Sequence, residues 1–152
     1  MIIHNKLDKS FGPVGSFSGI IVFIGGLGTI WFSLFSLILI VIGAFVGFSY
    51  SSVEIDSAGR RVRFLNNLFG IIKIGQWLNV TPEMKIGIQK SNRLWRSYSG
   101  SNRMLDIPSD DYRLILFDSS SKKLMPIKKT GNLNAVKEEL EMICKQLQID
   151  KM

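Results

Sequence analysis

From Ser10 to Ser52 the chain holds no Asp, Glu, Lys, Arg or His, and Val53 carries the run to Glu54. A soluble helix keeps a polar face for water, so an uncharged run this long is a membrane segment rather than a core helix. About 20 helical residues cross roughly 30 Å of hydrocarbon. The run is twice that length, which predicts two crossings. Its centre, Gly28-Thr29-Ile30-Trp31-Phe32-Ser33, puts glycine, hydroxyl groups and a tryptophan where a turn meets an interface. The pattern therefore predicts a transmembrane hairpin over residues 13–50, with helices at 13–30 and 32–49, after an N-terminal tail of residues 1–12. Pro13 suits a first helical turn, where its missing N–H has no partner to lose. Trp31 and Tyr50 are the expected interface anchors. A cleaved signal sequence has an apolar core of roughly 7–15 residues before a small-residue cleavage site; this run is several times longer and lacks such a site.

Small residues recur within the run, as Gly15 and Gly19 in the first helix and Gly43 and Gly47 in the second. A reversal at Trp31 sets Gly15 level with Gly47 and Gly19 level with Gly43. Such pairs let helix backbones approach closely in lipid, or offer a docking face to another membrane protein. The general abundance of glycine in membrane helices produces the same pattern without either role. Gly25, Gly26 and Gly28 weaken the end of the first helix and keep a re-entrant first segment open as an alternative.

Beyond Tyr50 the period changes from helical to alternating. Val53 and Ile55, the turn Asp56-Ser57-Ala58-Gly59, then Val62, Phe64 and Leu65 read as a β-hairpin. Asn66–Gly70 reads as a second turn, Ile71–Leu78 as a third strand and Met84–Gln89 as a fourth, after a break at Thr81-Pro82-Glu83. Arg93–Ser99 is a candidate fifth strand, and Gly100–Asp110, rich in Ser, Asn and Asp and containing Pro108, reads as a loop. Tyr112–Asp118 and Lys122–Lys128, separated by three serines, complete about seven strands. Leu133, Val136, Leu140, Ile143 and Leu147 then recur at spacings of three and four, an amphipathic helix capped by Asn132 or Asn134. Its stripe is expected to cover the sheet rather than form a coiled coil.

Seven antiparallel strands closed by one C-terminal amphipathic helix is the element order of a pleckstrin-homology domain. The tandem apolar helices ending near Ser49-Tyr50, the Val53–Val62 hairpin, the Gln76-Trp77 strand end and the Leu133–Leu147 helix carry a resemblance. Together they resemble small bacterial membrane proteins in which a two-helix transmembrane hairpin precedes a bacterial PH-like domain. The resemblance extends over nearly the whole chain. It implies a membrane α-helical hairpin plus a PH-like β domain at residues 51–152, and a location in the bacterial inner (cytoplasmic) membrane. It implies no activity.

Charge divides the chain in the same way. Lys6, Asp8 and Lys9 precede the apolar run, and the remaining 17 basic and 11 acidic residues follow it. Lys6 and Lys9 flank its start, Arg60, Arg61 and Arg63 flank its end, and the intervening turn is uncharged. The positive-inside rule then puts both termini in the cytoplasm. No ionisable group lies within either expected span, so the sequence offers no proton relay or ion path.

Candidate chemistry changes little. The one histidine, His4, has no identifiable catalytic or metal-binding partner nearby, and the single Cys144 excludes an internal disulfide. Neither phosphate-binding glycine motif occurs. Asp106, Asp110 and Asp111 lack the spacing of a calcium loop and read as solvated. No cofactor and no metal are expected. The informative polar feature lies between residues 60 and 103, where Arg60, Arg61, Arg63, Lys73, Lys85, Lys90, Arg93, Arg96 and Arg103 face one acid, Glu83. Trp77, Trp95 and Tyr98 are interleaved among them. Close to an anionic leaflet each basic residue contributes about 1 kcal/mol. Arg60, Arg61, Arg63, Lys90, Arg93, Trp95, Arg96 and Tyr98 are thus candidates for contact with anionic lipid headgroups or a protein partner. Solvated strand faces with a positive-inside bias have the same composition. Nucleic acid is not expected, because the one strong helix carries Glu138, Glu139 and Glu141.

The sequence thus predicts a non-catalytic accessory or assembly subunit of a bacterial inner-membrane complex, its hairpin docked on a larger membrane protein. The alternative is a stand-alone membrane-surface sensor of anionic lipid or peptide. An enzyme or transporter has no support in the residues.

Overall fold

A computed structural model describes residues 2–98 and 104–152, with side chains described for 2–91 and 111–152. The chain divides into two compact units: residues 1–7, 52–64 and 75–152 form one, and residues 8–51 and 65–74 the other.

The second of these contains two helices, α1 (Gly12–Thr29) and α2 (Ser36–Phe48). Proline occupies the first turn of α1, as its fixed φ favours. α1 is long and apolar enough to cross a membrane, at about 27 Å from 1.5 Å per residue. α2 has 13 residues and spans about 20 Å. The expected second helix at 32–49 is therefore shortened from its start, because Thr29 to Phe35 is used in turning the chain. Phe32 and Ser33 donate their N–H groups to the Thr29 carbonyl, and Ser36 donates to the Ser33 carbonyl, in overlapping tight turns.

Burial in this helix pair is inverted relative to a soluble protein. The buried residues are Gly12, Ser16, Gly19 and Gly26 in α1 and Ser36, Gly43 and Gly47 in α2, all glycine or serine. The large side chains point outward, among them Phe17, Ile21, Ile24, Leu27, Ile38, Val41 and Ile42. Water would penalise that surface heavily; hydrocarbon does not, and there the close approach of small residues supplies the packing.

The other unit is sheet-rich. The strands β1 (Ile2–Lys9), β2 (Tyr50–Asp56), β3 (Arg61–Leu68) and β4 (Ile72–Ile74) lie in the order β1-β2-β3-β4, and β5 (Trp77–Asn79) also pairs with β3. The ends of β1, β2 and β3 continue into the helical unit, which also holds β4. A second sheet has the order β8-β7-β6-β9, with β6 (Lys85–Tyr98), β7 (Met104–Phe117), β8 (Lys123–Thr130) and β9 (Asp150–Lys151). β6, β7 and β8 are antiparallel neighbours, and β9 joins β6 in parallel. The helix α3 (Leu133–Leu147) packs Val136, Leu140, Ile143 and Leu147 into one core with Val53, Ile55, Val62, Ile86, Leu114, Leu116 and Ile127. Each such aliphatic side chain contributes about 1.5–3 kcal/mol on full burial. Asn132 is the α3 cap, accepting from the Asn134 N–H at 2.9 Å.

Several expectations are corrected by these elements. Residues 2–9, read as part of a tail, form β1. Ile3, Asn5 and Leu7 turn inward on alternate positions, and the Asn5 amide donates to the Ile127 carbonyl. Asn66 and Asn67 are not in a turn but in β3, where the Asn67 amide donates to the Tyr50 carbonyl at 3.2 Å. The single strand expected over 71–78 is two, β4 against residues 66–68 and β5 against 61–63 of the same partner. The expected fourth and fifth strands are one, β6. Residues 104–110, expected in a loop, lie in β7, paired in unbroken register with β6 from Tyr98↔Met104 to Lys85↔Phe117. Ladder formation there overrides local turn preference, even at Pro108 opposite Leu94. Nine strands therefore appear among the described residues, where about seven were expected.

Candidate functional site

The best-defined geometry is the α1–α2 seam. A Cβ added to Gly19 would lie 2.9 Å from the Gly47 Cα, and one added to Gly43 would lie 2.7 Å from the Phe23 Cα and 2.9 Å from the Gly19 carbonyl oxygen. One added to Gly26 would meet Ile40 at 2.9 Å. The seam thus pairs 19 with 47, 23 with 43 and 26 with 40, one helical turn away from the register expected from a reversal at Trp31. The reversal falls near Ser33, because the tight turns extend to Ser36. Gly15 is left out of the seam and meets only its own Phe11, while Gly25 and Gly28 have open space around them. Near the turn, the Ser36 hydroxyl donates to Thr29 Oγ1 at 2.9 Å, and Thr29 donates to the Gly25 carbonyl at 2.9 Å. Both hydroxyls find their partners within the helix pair.

Trp31 stands at the tip of the hairpin and is 90% exposed, beside the equally outward Phe32, Leu34 and Phe35. Tyr50 is half-buried and opens β2. At the other end of the hairpin the Ser10 N–H donates to the Ser49 carbonyl at 3.2 Å, which ties the entering and leaving chain together.

The three arginines after the hairpin are held within the sheet-rich unit. Arg60 donates to the carbonyls of Leu147 and Gln148, both at 3.3 Å, which satisfies orphan groups at the end of α3. Arg61 Nε donates to Asp56 Oδ2 at 2.9 Å, and this bond together with the Gly59 N–H holds the Asp56 carboxyl below its ordinary range. Arg63 donates through both Nε (2.9 Å) and Nη2 (2.7 Å) to Glu54 Oε2, and His4 Nδ1 lies 3.4 Å from the other carboxylate oxygen. Both guanidinium groups lie over the Trp77 ring, at 4.8 and 4.5 Å from its centroid.

Lys90 lies elsewhere, on the second sheet. With Arg113, Ile115, Lys123, Leu124 and Met125 it lines an open groove of about 400 Å³. Arg113 is buried and donates through Nε to Asp111 Oδ2 at 2.7 Å, while Lys129 Nζ lies 3.8 Å from the other Asp111 oxygen. Ile115, Leu124, Met125 and Pro126 give the groove apolar lining, which suits an extended segment. Arg113 was not singled out from the sequence; its alternation with Asp111 on one face of β7 was the available signal. Arg93, Trp95, Arg96 and Tyr98 sit on β6 opposite Ser109, Ile107, Asp106 and Met104. Their side chains lie outside the described residues, as do those of Asp106 and Asp110. Asp111 is described, and it pairs with Arg113 and Lys129. Among the described residues no three His, Cys, Asp or Glu side chains group as a metal site. Burial pushes the Cys144 thiol up, away from nucleophilic use.

Comparison with known protein families, curated proteins and solved structures gives no match to this chain. The class defined by the geometry itself is an N-terminal apolar helix pair joined to a sheet-rich domain with a C-terminal helix.

Proposed function

We propose that the protein is a non-catalytic accessory or assembly subunit of a bacterial inner-membrane complex, anchored by a hairpin that enters and leaves the bilayer on one side. The observation that carries the anchor is the place of the helices in the chain: α1 and α2 are inserted between β1 and β2, which are neighbours in one sheet. Neighbouring strands lie on one side of a membrane, so the two helices together cross it an even number of times. A single crossing by α1 alone is incompatible with that pairing. The positive-inside rule places this side in the cytoplasm, with both termini. The shared core of two sheets closed by α3 supports the PH-like reading of the domain.

In this reading the glycine seam is consumed by the anchor's own packing, so a larger membrane protein meets the outward faces of the helices instead. The sheet-rich domain offers its partner the groove lined by Ile115, Lys123, Leu124 and Met125, where Lys123 is exposed. The internal engagement of Arg60, Arg61 and Arg63 favours a protein partner over a stand-alone sensor of anionic lipid. Purification from native membranes in mild detergent, with mass spectrometry of the accompanying chains, tests the proposal. A stoichiometric membrane protein whose recovery falls on reversing Lys123 to Glu supports it; a free monomer or homo-oligomer counts against it.

A further inference from the structure

The helical unit contains one element that the anchor does not account for. Residues 65–74 belong to that unit, and within them β3 turns into β4 at Phe69-Gly70-Ile71. The side chains presented there are apolar: Ile71 is 82% exposed, and Ile72 and Ile74 are each 53% exposed. An exposed apolar turn in water is a liability, and this one is also strained. Phe69 has φ +55° and Gly70 φ +71°. Glycine adopts that region freely, but an aromatic residue does so only where its surroundings hold it.

The surroundings here are the base of α2. The Phe69 N–H donates to Ser49 Oγ at 3.1 Å, and its ring lies 5.4 Å from that of Phe45. Gly70 comes against the Phe48 carbonyl, where an added Cβ would lie at 3.4 Å. The Asn67 amide fixes the approach by donating to the Tyr50 carbonyl. Phe69 is thus a clamp, and Ile71 is the residue it presents.

We propose that the β3–β4 turn is a second membrane contact, with Ile71 and Ile72 inserted into the headgroup and upper acyl region of the bilayer that α1 and α2 enter. The occupant is lipid because the turn continues the outward apolar surface of the helices: it is clamped to the end of α2, where Phe48 is itself 41% exposed. Exposed isoleucines on a turn fixed beside the exit of a membrane helix keep the anchor from tilting or sliding in depth. This inference rests on the hairpin reading above.

Depth measurement tests it. Single-cysteine variants Ile71→Cys, Ile38→Cys and Ser119→Cys, each on a Cys144→Ser background, carry a nitroxide in the full chain. The chain is reconstituted in vesicles of phosphatidylcholine and phosphatidylglycerol. Collision with oxygen, which concentrates in hydrocarbon, is compared with collision with a water-soluble nickel chelate. The label at 71 is expected at a depth between that at 38, in lipid, and that at 119, in water. A label at 71 as water-accessible as that at 119, with 38 still in lipid, overturns the second contact and leaves the hairpin intact. A label at 71 shielded from both reagents means protein covers the turn and also overturns it. A label at 38 in water removes the hairpin reading itself, and this inference with it.

Discussion

Replacing Gly43 by alanine adds one methyl group at the tightest point of the α1–α2 seam. The new Cβ would lie 2.7 Å from the Phe23 Cα and 2.9 Å from the Gly19 carbonyl oxygen, both backbone atoms that no rotamer change can move aside. Ordinary contact begins near 3.4 Å, so the helices must separate by roughly 1 Å, a gap that forfeits a quarter to a half of each contact's attraction. With several tens of atom pairs at about 0.1–0.2 kcal/mol each, the loss is about 1–3 kcal/mol. Overpacking measured in well-packed cores falls in the same range, about 1–3 kcal/mol. The matched control is Gly28→Ala, the same chemical change at a helical position with open space around it. Both variants gain the helix-forming advantage of alanine, about 1 kcal/mol at most, so their difference isolates the seam. Reversible unfolding in mixed micelles, followed by circular dichroism as the fraction of denaturing detergent rises, reads that difference. Gly43→Ala is expected to unfold at least about 1 kcal/mol more easily than Gly28→Ala. Equality of the two within about 0.5 kcal/mol would refute the reasoning, because independent sites agree only to that level.

The remaining predictions concern the sheet-rich unit. Arg63→Ala removes the guanidinium that donates twice to Oε2 of the buried Glu54 and is expected to cost about 3 kcal/mol, at the low end for a broken buried pair since Arg63 is partly exposed; denaturation followed by far-UV circular dichroism checks it. Asp56 has its pKa lowered in the fold, so it stabilises the protein above the ordinary carboxylate range, and that contribution is lost as pH falls through the depressed value. Arg61→Gln should return the Asp56 titration, read by carboxyl NMR, toward its ordinary value; no movement would refute the assignment. Asn132→Ala removes the α3 cap and should lower stability by about 1 kcal/mol, with Asn132→Asp restoring most of it. Cys144, 8% exposed with its thiol pKa raised by burial, should react with maleimide only after unfolding.

The uncharged run, the α3 stripe and the alternation of Val53, Ile55 and Val62 were legible in the sequence because each is a local pattern whose period reports its own environment. The glycine register was legible only to within one turn. Which glycines meet depends on how many residues the reversal consumes, and Phe32 to Phe35 look as helical in hydropathy as their neighbours. β1 was hidden for another reason: His4, Asn5 and Lys6 make it polar, and its partner β2 lies beyond the whole helical hairpin. The long β6–β7 ribbon was hidden because Ser, Asn and Asp prefer turns when isolated, whereas a paired strand opposite holds them extended. At the candidate site, basic residues were visible as a set but not by role. Arg60, Arg61 and Arg63 look alike in sequence, yet each is consumed by a different internal partner. Arg113 and Lys123, which join Lys90 in the groove, come from the next two strands of the same sheet, so their meeting depends on the β6–β7 and β7–β8 registers.

The most direct test of a hairpin inserted between two neighbouring strands is the side of the membrane on which its two ends lie. Ile2→Cys in β1 and Ala58→Cys after β2, each on the Cys144→Ser background, are exposed to a membrane-impermeant maleimide in intact spheroplasts and in inside-out vesicles. Both positions are predicted to label in inside-out vesicles and to be protected in spheroplasts. Labelling of the two positions from opposite sides would contradict the account, because β1 and β2 would then be separated by the bilayer.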